Sequence, residues 1–448
     1  MAGDSSREFT IQSLLDSGAI ISHKDGNYDS NYPRTEEFGD TGVPFLTAKS
    51  LSNGYVDIAS APRLADERAE SLRFGFVRTG DVLLSHNATI GRVAIVPEYP
   101  DRLLIGTSLT YYRLDPQRIL SRFFAACLSG KAFQDQLTGA MSHSTRNQVP
   151  ITAQRKLRVV IPTLPEQRAI AGVLGALDDK IELNRRTSRT LEKLARAIFR
   201  AWFVDFEPVK AKAAGARSFP SMPQETFDAL PTRLVPSELG PIPEGWSVGR
   251  VADFGDVICG KTPPTKNPEN YADDVPFITI PDMHNQVFVT DTGKKLSHTG
   301  ANTQAKKFIP AKSICVSCIA TAGLVVITSA RAQTNQQINT VIPRKGISPY
   351  YCYEALSLLG DEIRAGGSGG SVLHNLNKSN FSALNVLLPM KDVLSHFDGV
   401  LSPLFETILA NQKESRKLAE MRDYLLPKLL SGEVRVADAE LFLEKTTS

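Results

Sequence analysis

The sequence predicts a mixed α/β (α+β) chain. Two globular domains are separated by two long helices that form an antiparallel intramolecular coiled coil, and the whole is a pseudo-two-fold tandem repeat. Three observations predict it: an internal repeat, two segments with a sustained 3.5-residue apolar period, and a proline-dense stretch between the halves.

The repeat is the strongest of the three. Val43-Pro-Phe-Leu-Thr recurs as Val275-Pro-Phe-Ile-Thr, an offset of 232. At the same offset Ser85-His-Asn-Ala-Thr-Ile-Gly91 aligns with Ser317-Cys-Ile-Ala-Thr-Ala-Gly323. Ile161-Pro162 then matches Leu388-Pro389 at an offset of 227, which continues without a gap through the segment that follows. Each half opens with short apolar runs broken by Gly, Pro and Asn, the pattern of strands and turns, and closes on one long helical pattern.

In the first helical segment the seam runs through Ile170, Leu174, Leu177, Ile181, Asn184, Ser188, Leu191, Ala195, Ile198 and Trp202. Its counterpart runs through Phe397, Leu401, Leu404, Ile408, Asn411, Ser415, Leu418, Arg422, Leu425 and Leu429. Four-three alternation over this length specifies a coiled-coil seam rather than an ordinary surface helix, and each segment is the other's simplest partner. At ~1.5 Å per residue such a helix reaches roughly 50 Å. Asn184 and Asn411 occupy equivalent seam positions, where a buried Asn sets register. Arg422 interrupts the apolar series, with Met421 beside it to take its place. Arg185, Arg189, Lys193, Arg196 and Arg200 form a basic stripe on the first helix, which suits phosphates, an acidic protein or plain solvent. Between the halves, 208–243 holds seven prolines and reads as an extended connector.

Composition narrows the class. The 448 residues are 42% hydrophobic and 22% charged, which excludes wholesale disorder and collagen-like repeats. No apolar run approaches the ~18 residues of a membrane span and no leader pattern opens the chain, so a cytoplasmic protein without a membrane is expected. Five scattered cysteines suit a reducing compartment. The formal net charge is only +3, but its distribution is uneven. Residues 292–353 carry eight Lys and Arg and no Asp or Glu, and 136–165 carry Arg146, Arg155, Lys156 and Arg158 unopposed. Acid-free tracts in folded sequence attract phosphates, although charge alone also fits a solvated basic face.

Catalytic patterns fail in turn. Gly255-Asp-Val-Ile-Cys-Gly260-Lys261-Thr262 matches the phosphate-loop spacing, yet Pro263 and Pro264 would disrupt the helix such a loop must open. Cys315 and Cys318 lack a second ligand pair, and the seven histidines form no metal-binding spacing. Asp178-Asp179-Lys180 lies in a coiled-coil helix, where charged residues off the seam are expected. No catalytic or metal-ligating residue is assigned.

The chain resembles the specificity (S) subunits of type I restriction-modification systems over nearly its whole length. The resemblance is carried by the duplicated layout, by Leu164-Pro-Glu-Gln-Arg168 opening the first helix and by Ala197-Ile-Phe-Arg-Ala-Trp-Phe-Val-Asp-Phe-Glu-Pro208 closing it. Leu239-Gly-Pro-Ile-Pro-Glu-Gly-Trp246 and Leu425-Leu-Pro-Lys-Leu-Leu-Ser-Gly432 carry it further. The second helix departs from the pattern, starting Pro389-Met-Lys-Asp-Val393 without the Pro-Glu-Gln of the first. The resemblance implies a target recognition domain over 1–162, a spacer helix over 163–206 and a Pro-rich linker over 207–242. A second recognition domain over 243–388, a second spacer helix over 389–434 and a tail over 435–448 complete it. It further implies that each domain reads one half of a split asymmetric duplex target, while the helices set the number of bases between. The helices also dock two methyltransferase (M) subunits, and two restriction/translocase (R) subunits join. S-adenosylmethionine, ATP and Mg2+ then belong to those partners, and this chain binds no cofactor and catalyses no step.

Recognition requires phosphate anchors and base-edge readers on loops. In the first domain the candidates are Lys24, Lys49, Ser85, Asn87, Thr89, Arg92, Arg146, Asn147 and Gln148. In the second they are Lys261, Lys266, Thr321, Asn335, Gln336, Gln337, His374 and Asn375. Two other readings share parts of this pattern. One is a specificity subunit of a methylation-only or other phage-defence assembly, and the other is a coiled-coil scaffold with no DNA role.

Overall fold

The computed structural model describes residues 8–26, 32–52, 54–141, 147–319, 321–366 and 376–439. The candidates Arg146, His374 and Asn375 lie outside them. The chain divides into two units, one comprising 1–182 with 416–448 and the other 183–415.

In the first unit an antiparallel sheet has the order Val93–Ile95, Val82–Ser85, Leu109–Leu114, Ile20–Asp25. A second sheet places Val43–Leu46 parallel to Leu103–Ile105 and antiparallel to Arg63–Leu64. The second unit repeats both arrangements. Val325–Thr328, Ile314–Ser317, Ile338–Pro343 and Gly255–Cys259 reproduce the first sheet in the same order, and Tyr271–Ile278 runs parallel to Gln333–Thr334 and antiparallel to Lys295–Leu296. The duplication holds to the residue: Val43 faces Leu64 in one unit and Val275 faces Leu296 in the other. Each head is closed by one more antiparallel pair, Glu8–Thr10 with Arg158–Val160 and Ser247–Arg250 with Asn385–Leu388.

Two long helices, Leu164–Phe203 and Lys391–Ser431, each contribute a part to both units. The Leu164-Pro-Glu-Gln-Arg motif explains how the first begins. Thr163 donates its backbone N–H and its hydroxyl to Glu166 Oε2 (2.9 and 2.7 Å), satisfying the start of the helix. Gln167 is fully buried and pins the helix to its head: its Oε1 accepts the Leu120 N–H at 3.0 Å, and its Nε2 donates to the carbonyls of Arg118 and Pro162 at 2.9 Å each. The second helix ends before Gly432, whose φ of +75° is the left-handed conformation of a helix stop.

Within each unit the two helices pair antiparallel. In the first, Ile170, Leu174, Leu177 and Ile181 share one buried cluster with Leu418, Leu425 and Leu429, and Asp178 meets Arg422. In the second, Asn184 meets Glu414, Ser188 meets Asn411, and Trp202 meets Phe397, so one set of numbers rises as the other falls. Ile198, Phe397, Leu401 and Ile408 are buried there, while Leu191 and Leu404 are partly buried. Truncating a seam side chain as enclosed as Leu174 or Leu401 costs ~2–5 kcal/mol through lost transfer energy and the cavity left behind.

Three details add to the sequence reading or depart from it. Arg422 keeps its seam place, because Asp178 Oδ1 at 2.8 Å supplies a partner. Asn184 and Asn411 engage Glu414 and Ser188 (2.6 and 3.3 Å), polar neighbours on the facing helix. The stretch between the halves is not an extended connector: helices at Glu207–Ala213 and Gln224–Ala229 bury Val209, Met222, Phe227 and Leu230 in the second unit's core. Its apolar residues are few but large, and the core offers aromatic surface to meet them. Trp246 packs edgewise on Phe206 and tilted on Phe203, with ring centroids 5.9 and 5.7 Å away. The closing motif of the first helix and the motif ending at Trp246 are thus two sides of one aromatic cluster.

Candidate nucleic-acid interface

The duplicated Ser-to-Gly motif builds a duplicated loop. In the first unit the Ser85 hydroxyl accepts the Arg92 N–H at 2.8 Å, and the Gly91 N–H donates to the Ser85 carbonyl at 2.9 Å. In the second, the Ser317 hydroxyl accepts the Leu324 N–H at 2.8 Å, and the Gly323 N–H donates to the Ser317 carbonyl at 2.9 Å. Gly91 and Gly323 take φ of +90° and +84°, which glycine adopts without strain. Both serines are fully buried. Ser85, a candidate for contact with DNA, therefore braces its loop and does not line a surface. The braces are alike, and so is one displayed residue, Thr89 and Thr321; two residues earlier Asn87 in one loop is replaced by Ile319 in the other.

Around the first loop the fold gathers several candidates. Asn87 bridges to Gln148, and the Ala88 N–H donates to the Asn147 carbonyl at 3.1 Å. Thr89 and Asn147 are exposed, and Asn87 and Gln148 half-buried. Arg92 Nη1 donates to the carbonyls of Ala48 and Leu51 at 3.0 Å each, so this guanidinium ties the loop to the turn that exposes Lys49. Lys24 is exposed on Ile20–Asp25 and points to the opposite face of that strand from His23 and Asp25.

Beneath this loop lies a buried polar cluster that sequence reasoning missed. Gln154 Oε1 accepts the hydroxyls of Thr110 (3.0 Å) and Tyr112 (3.1 Å) and lies 3.1 Å from His23 Nε2. His86 Nδ1 donates to the Val149 carbonyl at 3.2 Å, while its Nε2 stands 3.6 Å from Asp25 Oδ1. Burial lowers His23 to about 3, against the opposing hydrogen bond from Gln154, and lowers His86 to about 4. Burial also raises Asp25 to about 6, with Arg155 pulling the other way. At neutral pH both imidazoles are neutral. His86 and Gln154 both donate to the Val149 carbonyl, which ties the cluster to the residue that follows Gln148. The participants are too far apart in sequence for any spacing rule to collect them.

In the second unit, Lys261 follows the strand Gly255–Cys259, and its N–H donates to the Thr334 carbonyl at 2.9 Å. Thr262 donates its hydroxyl to Gln336 Oε1 at 2.6 Å. Asn335 is buried and ties its side-chain amide to Gln337, whose carbonyl accepts the Cys318 N–H at 2.9 Å and so reaches the loop carrying Thr321. Lys261, Gln336 and Thr321 are exposed together on this edge. Lys307, absent from the candidates, donates from Nζ to the Cys259 carbonyl at 2.8 Å. Lys266 is exposed, but among the described residues no hydrogen bond or ion pair joins it to this group. The acid-free tract is also less free than its composition: Lys295 meets Asp273 and Asp291, each at 3.7 Å, and Lys312 lies 5.7 Å from the Tyr350 ring centre.

The arrangement presents amides, hydroxyls and ammonium groups on braced loops, which are hydrogen-bonding partners for base edges and cations for phosphates. The phosphate-loop match is a strand: Gly255 and Gly260 allow neighbouring backbone so close that an added Cβ would lie 1.8 Å from the Ile342 carbonyl oxygen and 2.0 Å from that of Asn335. Cys315 and Cys318 are buried thiols, pushed up to about 12 and about 11 by burial, with Thr340 and Asn339 respectively as opposing hydrogen-bond partners. Among the described residues no helix is long and apolar enough to cross a membrane.

Comparison with known proteins agrees with this architecture. The family model for the type I restriction modification DNA specificity domain matches twice, over 22–193 and 243–415. The type I restriction enzyme HindI specificity subunit of Haemophilus influenzae is 38% identical over 400 residues, covering 80% of this chain and 87% of that protein. The MjaIX specificity subunit of Methanocaldococcus jannaschii is 26% identical, covering 96% of this chain and 95% of that protein. The crystal structure of a type I restriction-modification S subunit from M. genitalium matches in fold with a TM-score of 0.50 at 15% identity, covering 94% of this chain and 95% of that one.

Proposed function

Because the chain belongs to the type I restriction modification DNA specificity family, with that domain present twice, we propose that it reads a bipartite, asymmetric duplex target, one half-site per head. The observation that carries this reading is the pair of loops braced by Ser85 and Ser317. They share their hydrogen-bonding frame and an exposed threonine, Thr89 in one and Thr321 in the other, and differ two residues earlier, where one has Asn87 and the other an exposed Ile319. Two copies of one scaffold with different readers suit two different sequences. A symmetric dimer would read the same sequence twice.

In this reading Lys24, Lys49, Lys261 and Lys307 hold phosphates, while Asn87, Thr89, Asn147, Gln148, Gln336, Gln337 and Thr321 address base edges. The paired helices count the unspecified bases and offer outward faces to two methyltransferase subunits, with two restriction/translocase subunits completing the assembly. S-adenosylmethionine, ATP and Mg2+ are used by those partners. This chain, in the cytoplasm, supplies the address and no bond-making step. Methylation-sensitive long-read sequencing of host DNA tests the proposal. A split adenine-methylated motif that disappears when the chain is deleted is expected, and an unchanged methylation pattern after deletion would overturn it.

A further inference from the structure

The duplication allows one position to be compared across the two heads. In the first unit Val77 pairs with Leu103, and in the second Ile309 bridges to Ala332, at the offsets that relate the neighbouring strands. The residues just before these, Phe76 with Arg102 and Phe308 with Arg331, are therefore equivalent pairs. Their surroundings differ. Arg102 Nη2 lies 3.6 Å from Asp66 Oδ1 and 3.7 Å from Glu70 Oε1, two carboxylates on the helix Asp66–Ser71. The same helix positions in the second unit are His298 and Asn302. Arg331 meets no carboxylate within ion-pair distance among the described residues. Its guanidinium carbon instead sits 3.6 Å from the centre of the Phe308 ring.

That stack has a chemical consequence. A guanidinium laid over an aromatic face is held by cation–π attraction and keeps its N–H edges for a planar or tetrahedral oxyanion. Arg331 is exposed, and acids of the same unit have other partners: Asp273 and Asp291 each lie 3.7 Å from Lys295, and Asp274 accepts the His298 N–H. Its neighbours in the fold belong to the candidate interface. Phe308 follows Lys307, which reaches the Cys259 carbonyl, and Ala332 leads into Gln333–Thr334, whose end holds the Lys261 N–H.

We propose that Arg331 is a pre-oriented phosphate anchor of the second head, and that its equivalent, Arg102, is neutralised by Asp66 and Glu70. The proposal rests on the DNA-reading function above and adds to it an asymmetry in how firmly the two heads grip the backbone.

The test uses the full chain and a mixed-sequence duplex, with affinity measured across a salt series. Arg331→Ala is expected to weaken binding several-fold at low salt and to reduce the log–log salt slope by about one, whereas Arg102→Ala leaves both near the parent values. The double variant His298→Asp/Asn302→Glu, which transplants the first head's acids while keeping Arg331, is expected to reproduce the loss and covers the case in which Arg331→Ala fails to fold. An unchanged slope in the double variant, or an equal loss in Arg102→Ala, would overturn the anchor while leaving the reading function intact. A parent chain with no salt-dependent duplex binding would overturn both.

Discussion

Arg422 of the second long helix donates from Nη1 to Asp178 Oδ1 of the first at 2.8 Å, beside the apolar cluster that joins the two helices in the first unit. A guanidinium can occupy such a place because Asp178 is part-exposed and a second carboxylate, Asp423, lies 2.9 Å from Nη2. The pair marks one register of the two helices: slipping either by a heptad would set Arg422 against Ala171 or Arg185 in place of Asp178.

Arg422→Ala is expected to destabilise the first unit by about 1–2 kcal/mol, a value reduced by the solvent that reaches both partners. Urea denaturation of the single variants and of Arg422→Ala/Asp178→Ala measures the coupling, expected at roughly 0.5–1.5 kcal/mol. A coupling near zero would show that the register is held by the apolar residues alone.

Gln167 supports three backbone groups at once, one buried and two part-buried, so Gln167→Ala removes the partner of the Leu120 N–H and of two carbonyls. The expected cost is about 2–3 kcal/mol, with faster hydrogen exchange at the Leu120 amide. Leu120 exchange at the parent rate would show that water replaces the glutamine without loss.

Glu354 is buried, with Arg196 Nε 3.8 Å away, and burial raises its carboxyl to about 8, the Arg196 charge opposing and Glu192 reinforcing the shift. The sign follows from linkage. Between the ordinary carboxylate range and about 8 the folded state holds a proton that the unfolded state has lost, so stability falls as pH rises through that window. Glu354→Gln is therefore expected to raise the melting temperature at about pH 9 and to have little effect at about pH 5. An equal shift at both would mean that Glu354 does not titrate on unfolding.

Much of this architecture is legible in the sequence, because repetition and a 3.5-residue period are properties of the chain itself. Leu174, Leu401 and Leu425 declare the seam by spacing. Phe405 escapes that reading, since it lies off the seam and stacks on Tyr350 of the head at 4.5 Å; a helix buried on two sides shows only one side to a period count. The interface is harder to read for a related reason. Polarity nominates Ser85 and Asn335, yet both are buried braces, and only coordinates separate a loop's frame from its display. The cluster of His23, Asp25, His86 and Gln154 is assembled by strand register, which sequence order conceals.

Replacing the Asn87–Thr89 segment by residues from a relative, while keeping Ser85 and Gly91, is expected to change one half of the methylated motif. The same exchange at Thr321 is expected to change the other. Motif sequencing checks both. An exchange at Asn87–Thr89 that alters both halves would contradict independent reading by the two heads.

Whether the paired helices set the gap between half-sites is tested by inserting one heptad into each long helix at matched seam positions and mapping the methylated motif. Seven residues add roughly 10 Å of helix, about three base pairs of duplex. Both half-sites are expected to persist with a gap longer by about three base pairs. The original motif with its original gap would contradict a helix-set gap.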